Sequence, residues 1–212
     1  MRKLQYEDLP LKVYNALKEM ILRGELISGQ KLQQEKLAET LGVSRTPLLT
    51  AFSKLERELL IEIQPRKGAF VRHFNKKELI DIYDIRIRLE PLGAAEAAAN
   101  GSEKQFKELR SLLDAFKKAA QKKESGRISE DDYLIHMKIM EMSGNQFLYQ
   151  MVSNFNIIVI ANLEGFPKDY SVSIQEHEEL YKALHARNAQ QAEEMMRNHL
   201  SSSRDIIVQS FT

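Results

Sequence analysis

Four side chains in the second half of this 212-residue chain combine metal-ligand chemistry with a spacing that can bring them together: Asp132, His136, His177 and His199. Asp132 and His136 are four positions apart, which on a helix places them on one face, a turn from each other. His177 and His199 are 22 positions apart. A helical hairpin turning near residue 188 has arms of about equal length, so it returns the second histidine to the level of the first. Three imidazoles and one carboxylate form a ligand set for a divalent ion that leaves room for water or a ligand oxygen; nickel, manganese, iron or a distorted zinc site all suit it. A plainer reading stays open on spacing alone: hydrogen-bonded histidines and an Asp132–His136 ion pair. His73 and His185 do not fit the pattern, and His185 reads as a last-turn residue interacting with its helix dipole.

A second set of residues, polar and basic, lies in the first third of the chain. In VSRTPLLTAFSKLERELL, Ser44 is expected to cap a helix by accepting the N–H of Thr46, with Pro47 at the third helical position and Leu48, Ala51, Phe52, Leu55 and Leu59 as its buried stripe. The helix before it runs from about 33 to 41, with Leu37, Ala38 and Leu41 inward, and stops at Gly42, where a left-handed cap suits glycine. A further helix over 9–22 has Leu9, Val13, Tyr14, Leu17 and Ile21 on one stripe, with Pro10 in its first turn. Two short helices joined by a tight turn make a helix-turn-helix, whose second helix would present Ser44, Arg45 and Thr46 to a major groove. After Leu60 the pattern switches to alternation. IEIQPRKGAFVRHF reads as a hairpin, or wing, with Arg66 and Lys67 at its tip to reach phosphate or a minor groove and Gly68 relieving the turn. Read separately, Ser44 would cap a helix in any protein and Arg45 would be an ordinary solvated charge.

Charge favours the same division of labour. The net charge of +1 hides 13 Lys and Arg against 9 Asp and Glu in residues 1–74, and 18 against 21 in residues 75–212. Cations are needed to displace the counterions condensed on nucleic acid, so the first part is the better candidate for DNA. With no cysteine, disulfides, thiolate zinc sites and cysteine nucleophiles are excluded. The N-terminus has no apolar core of a signal peptide, and the longest apolar run, residues 157–161, is far short of the roughly 20 residues that span a bilayer. We expect a cytoplasmic protein with no membrane association.

Beyond His73 the pattern is helical nearly throughout. Asn75 with Glu78 three positions on resembles a capping box. Leu79, Ile82, Ile85, Leu89 and Leu92 continue an apolar face that Pro91 interrupts, and further helices are expected near 103–123, 128–142, 145–162, 173–187 and 189–209. Breaks are expected at Gly101, Gly126, Ser143 with Gly144, and Gly165 with Pro167. The expected fold is mainly α: a winged helix-turn-helix over residues 1–74, then an all-α helical bundle over 75–212.

The stretch GELISGQKLQQEKLAETLGVSRTPLLTAFSKLERELLIEIQPRKGAFV resembles the DNA-binding domain of the GntR family, through its G-x-L-x-x-G-x-x-L start, central LGVSRTP and closing P-R-x-G-A-x-V. The resemblance implies base or phosphate contacts for Arg45 and Thr46 and a minor-groove approach for Gly68. Family members commonly carry Arg and Glu where this chain has Leu49 and Thr50, and Gly where it has Leu59. Operator sequence therefore does not transfer, and more weight falls on Arg45, Arg57 and the wing. The segments IRIRLEPLGAAEAA, DYLIHMKIMEMSGNQFL and EHEELYKALHARNAQQAEEMMRNHL are similar to the FadR C-terminal (FCD) domain. In metal-binding members an Asp and three His correspond to Asp132, His136, His177 and His199, and an effector-pocket Arg maps to Arg86, which by itself reads as a partly exposed charge.

Together these features lead us to expect a DNA-binding transcriptional regulator, not an enzyme, that works as a homodimer on an inverted-repeat operator in double-stranded DNA. Its helical domain would sense a small carboxylate effector through the metal. The competing readings are a winged-helix protein-interaction module with a structural metal and a metal-dependent enzyme. Against the enzyme, spacing places no further acid or base beside the four ligands.

Overall fold

Val13, Tyr14, Leu17 and Ile21 recur at helical spacing, and in the computed structural model they form the buried face of α1 (Leu9–Leu22), which packs on α3 (Arg45–Arg57). The structure describes residues 9–162 and 170–210, and the side chains of these apart from 156–162. It divides the chain into two compact units, Met1–His73 and Phe74–Thr212.

In the first unit, α2 (Gln34–Leu41) ends at Gly42, whose φ of 64° is the left-handed conformation that glycine adopts without a Cβ penalty, and α3 begins three residues later. Leu48, Ala51, Phe52 and Leu55 of α3 are buried, each Leu or Phe contributing about 1.5–3 kcal/mol. Ser44 occupies the cap position of α3, but its side chain makes no cap hydrogen bond, contrary to expectation. Pro47 sits at the third helical position, so one of the N–H groups that such a cap usually satisfies does not exist. Leu59 also departs from expectation: it is 45% exposed, with φ of 61°, and lies past the end of α3 rather than on its buried stripe.

Strands β1 (Lys31–Leu32), β2 (Ile61–Gln64) and β3 (Gly68–Val71) make an antiparallel sheet in the order β1-β3-β2. The β2–β3 hairpin pairs Ile61 with Val71 and Gln64 with Gly68, closing on Pro65, Arg66 and Lys67. Helix-turn-helix plus hairpin is the winged helix-turn-helix architecture.

The second unit is helical among its described residues: α4 (Lys76–Asn100), α5 (Glu103–Lys122), α6 (Ser125–Ser143), α7 (Gln146–Asn162), α8 (Tyr170–His185) and α9 (Ala189–Gln209). Reciprocal capping boxes start α4 at Asn75 and α5 at Ser102. Gly126 lies inside α6 rather than breaking the chain, and the break expected at Gly165 and Pro167 lies outside the described residues. Helix α4 is central, packing on α6, α7, α8 and α9. At Gly93 a Cβ would lie 2.6 Å from Met140 Sδ, so any larger residue there would make the Met140 side chain shift.

Pro91 does not end α4. It has no N–H for the Ile87 carbonyl, and Arg197 of α9 supplies a replacement donor at 3.1 Å. The face of α4 turned inward also differs from the apolar stripe expected. Ile85 and Leu92 are exposed, while Tyr83, Arg86 and Glu90 are buried beside Ala94, Ala97 and Ala98. Burying an Arg with a Glu one turn later is tolerable because each neutralises the other.

Candidate metal centre and nucleic-acid interface

Helix α6 carries Asp132 and His136 one turn apart, α8 carries His177, and the tight connection between α8 and α9 brings His199 back alongside it. The connection works locally because Arg187 takes a left-handed φ of 58° and the Asn188 side chain accepts the N–H of Gln191, starting α9. One ligand atom from each of the four residues lies within 4.8 Å of the others. His136 Nε2 and His199 Nε2 are 3.3 Å apart, His177 Nε2 and Asp132 Oδ1 are 3.8 Å apart, and the His177 and His199 ring centroids are separated by 4.5 Å. The three histidines are at most 3% exposed.

The outward-facing nitrogens decide what this cluster can do. His136 Nδ1 lies 2.6 Å from Glu90 Oε2, and His199 Nδ1 lies 2.8 Å from Glu176 Oε2. An ionised carboxylate only accepts, so both Nδ1 atoms must donate. In the neutral imidazoles this leaves the two Nε2 lone pairs turned toward each other, an arrangement that calls for a cation or a shared proton. Two imidazole nitrogens on one ion, each about 2.1 Å from it, can be no more than about 4.2 Å apart, and their 3.3 Å separation meets that limit. The His136–His199 pair therefore has the spacing of two donors on one divalent ion, and with Asp132 and His177 within 4.8 Å these four are the residues that could hold it. Carboxylates behind ligating imidazoles are the usual means of fixing tautomer and raising ligand basicity.

Arg86 is buried, not partly exposed, and its guanidinium is engaged: Nε donates to Glu90 Oε1 at 2.5 Å. Burial pushes the Glu90 carboxyl up, but Arg86 and His136 outweigh it and hold the group well below the usual carboxylate range. The result is a continuous chain from Arg86 through Glu90 to His136. The sequence reading missed both Glu90 and Glu176 and expected no further acid or base beside the four ligands. The available signals were the four-residue spacing of Glu90 from Arg86 and the adjacency of Glu176 to His177. Neither indicates which partner lies across the bundle. Of the remaining histidines, His73 pairs with Ser28 Oγ at 3.0 Å, and His185 packs against Phe106 and Tyr181.

In the winged unit, Ser44, Arg45 and Thr46 are exposed together at the start of α3, and Arg45 Nε donates to Gln34 Oε1 of α2 at 3.1 Å. Arg66 and Lys67 are exposed at the hairpin tip, where Arg66 takes φ of 64° and Gly68 takes φ of 106°. Arg57 is not with the first group. It is the last residue of α3, about 18 Å along the axis from Arg45, and its Nε donates to the Ser53 carbonyl.

Comparison with known proteins agrees with both units. The FCD domain matches residues 81–202, and the family described as bacterial regulatory proteins, gntR family, matches residues 9–71. The HTH-type transcriptional regulator McbR of Escherichia coli (strain K12) is 30% identical over 150 residues, covering 71% of this chain and 68% of that protein. The uncharacterized HTH-type transcriptional regulator YdhC of Bacillus subtilis (strain 168) is 26% identical over 196 residues, covering 90% of this chain and 87% of that one. The solved structure of E. coli McbR/YncC superposes with a TM-score of 0.86 at 25% identity, covering 96% of this chain and 99% of the other. These relatives are transcriptional regulators, and regulators of the gntR type bind DNA. The chain belongs to the gntR family of bacterial regulatory proteins, with an FCD domain following its winged helix-turn-helix.

Proposed function

We propose that this regulator is a cytoplasmic homodimer that reads an inverted repeat in DNA and senses a small organic acid through a divalent ion. The observation that carries this reading is the convergence of Asp132, His136, His177 and His199 inside the helical unit, with Glu90 and Glu176 behind two of the imidazoles. A bound ion would supply a Lewis-acidic centre with positions open to a carboxylate or hydroxyl oxygen. The chain's own groups do the rest. Glu90 and Glu176 hold two imidazoles in one tautomer, and Arg86, within electrostatic reach of Asp132, places positive charge beside the cluster. Because Arg86 is already paired with Glu90, its role toward an effector carboxylate is as a cation shared with Glu90.

At the DNA, Ser44, Arg45 and Thr46 are assigned to the major groove, Arg57 to a phosphate further along, and Arg66, Lys67 and Gly68 to the backbone or minor groove beside the wing. One such head contacts few base pairs, so useful selectivity favours two heads on a repeat. An acid that binds one arrangement of the dimer better than another changes operator affinity by that difference, in either direction.

The test is metal analysis of the purified chain together with a thermal-shift screen of small organic acids, run with and without metal. Metal uptake with acid-dependent stabilisation that needs the metal supports the reading; a chain that takes up no divalent ion overturns it. A second reading, a purely structural ion, is favoured by the burial of three ligands drawn from three helices. It predicts that removing the metal unfolds the helical unit, whereas a sensor would fold without metal and lose its response to acid.

A further inference from the structure

We infer that Leu49 reads the 5-methyl group of a thymine in the major groove, a reading that rests on α3 being the DNA-recognition helix. Arg45, Thr46, Leu49, Thr50 and Ser53 make up the outward face of the first half of α3, while Leu48, Ala51, Phe52 and Leu55 fill the opposite face. Leu49 is 40% exposed, one turn beyond Arg45. An isolated surface leucine is ordinary. This one stands within a row of polar groups on the unit with the excess of basic residues, where phosphate attraction would seat a duplex against it.

Its neighbours strengthen the apolar character of the patch. Thr50 Oγ1 donates to the Thr46 carbonyl and Ser53 Oγ to the Leu49 carbonyl, both at 3.1 Å, so these hydroxyl protons are turned back into the helix. Hydrogen-bond donation from the face therefore falls to its first residues, the Arg45 guanidinium and the Thr46 hydroxyl. Among major-groove edges, the thymine methyl is the apolar feature, and apolar side chains are its natural partners, while arginine matches the acceptors of guanine. Leu49 lies about 6 Å along the helix from Arg45, and stacked base pairs are about 3.4 Å apart. The thymine is therefore expected within about two base pairs of the pair contacted by Arg45.

The experiment selects sites from a random duplex pool with the full chain, then replaces each thymine of the selected site in turn by deoxyuridine, which lacks only the methyl group. Burying one methyl corresponds to about a fourfold change in affinity for each half-site. We expect one thymine per half-site to show that loss. Leu49→Ala should bind the thymine and deoxyuridine sites equally, and Leu49→Arg should select a G·C pair at or beside that position. Because Leu49 is exposed, neither variant disturbs the core. A selected site whose thymines all tolerate deoxyuridine overturns this inference alone, as does a Leu49→Ala variant that keeps the methyl dependence. A chain that selects no DNA sequence overturns the recognition-helix reading and this inference together.

Discussion

Glu176→Gln isolates the contribution of a carboxylate behind an imidazole of the candidate metal centre. Glu176 Oε2 lies 2.8 Å from His199 Nδ1, and its side chain is 24% exposed, so the uncharged amide fits without emptying the core. Glu90 is a poorer target. It is fully buried and neutralises Arg86, so its loss would strand a buried guanidinium at a cost of roughly 3–5 kcal/mol and mix folding with metal binding. Losing such an outer partner typically weakens metal binding about 10- to 100-fold, or about 1.4–2.7 kcal/mol. At a fixed metal excess the same energy is lost from the stability of the loaded protein. At about 2–4 °C per kcal/mol for a protein of this size, its Tm falls by roughly 3–11 °C. The metal-free Tm should change less, since a charged acceptor is replaced by a neutral one, worth about 1 kcal/mol. Competition against a chromophoric chelator measures the affinity, and melts with and without metal measure the stability. His177→Ala provides the reference for loss of a direct ligand. An amide oxygen still accepts the His199 Nδ1–H, so the variant removes the charge and keeps the tautomer. If Glu176→Gln binds metal as tightly as the parent while His177→Ala does not, the argument that the carboxylate raises ligand basicity is wrong; if His177→Ala also keeps its metal, the ligand set is wrong.

Arg45→Ala should weaken operator binding by about 1–3 kcal/mol, roughly 5- to 150-fold, with metal content and helicity unchanged; equal affinity in a fluorescence-anisotropy titration removes Arg45 from the reading surface. Leu59→Gly should stabilise the winged unit by about 0.5–1 kcal/mol, because a left-handed, 45% exposed leucine gives up strain and little burial; a lower urea midpoint contradicts this. Arg197→Met should cost about 1 kcal/mol by removing the donor to the Ile87 carbonyl, and much less in a Pro91→Ala background, where residue 91 regains its N–H. Purely additive effects in that double-mutant cycle refute the replacement-donor account. The hydrogen bond from Arg110, opposed by burial and reinforced by Lys117, holds the Glu178 carboxyl down at about 2 from an ordinary 4.5. A depressed folded pKa means that its stabilisation is complete above the ordinary value and is lost as pH falls toward about 2. Urea midpoints recorded through that acid window should fall less steeply in Glu178→Gln than in the parent.

The helices were legible because their signals are local. The stripe Val13, Leu17 and Ile21, the left-handed stop at Gly42 and the Asn75–Glu78 box each involve groups within a turn or two of one another. The convergence of Asp132, His136, His177 and His199 was legible for a related reason: one helical turn relates Asp132 to His136, and a hairpin with equal arms relates His177 to His199. Strand β1 was not, because two residues, Lys31 and Leu32, carry no periodicity and become a strand only by pairing with Phe70 and Ala69.

Residue types and spacings alone determined the mainly helical make-up, the helix-turn-helix with its basic hairpin, and four side chains suited to one ion. Tertiary packing alone decided which side of α4 faces inward, and with it that Arg86 and Glu90 are buried behind His136 while Ile85 and Leu92 meet solvent. It also decided that Glu176 backs His199, that Arg197 answers Pro91, and that Leu59 lies in a left-handed turn. The physical reason is range. Periodicity and capping act within a few residues, whereas the neutralisation of a buried charge or the satisfaction of a freed carbonyl depends on a partner that only the assembled helices bring near.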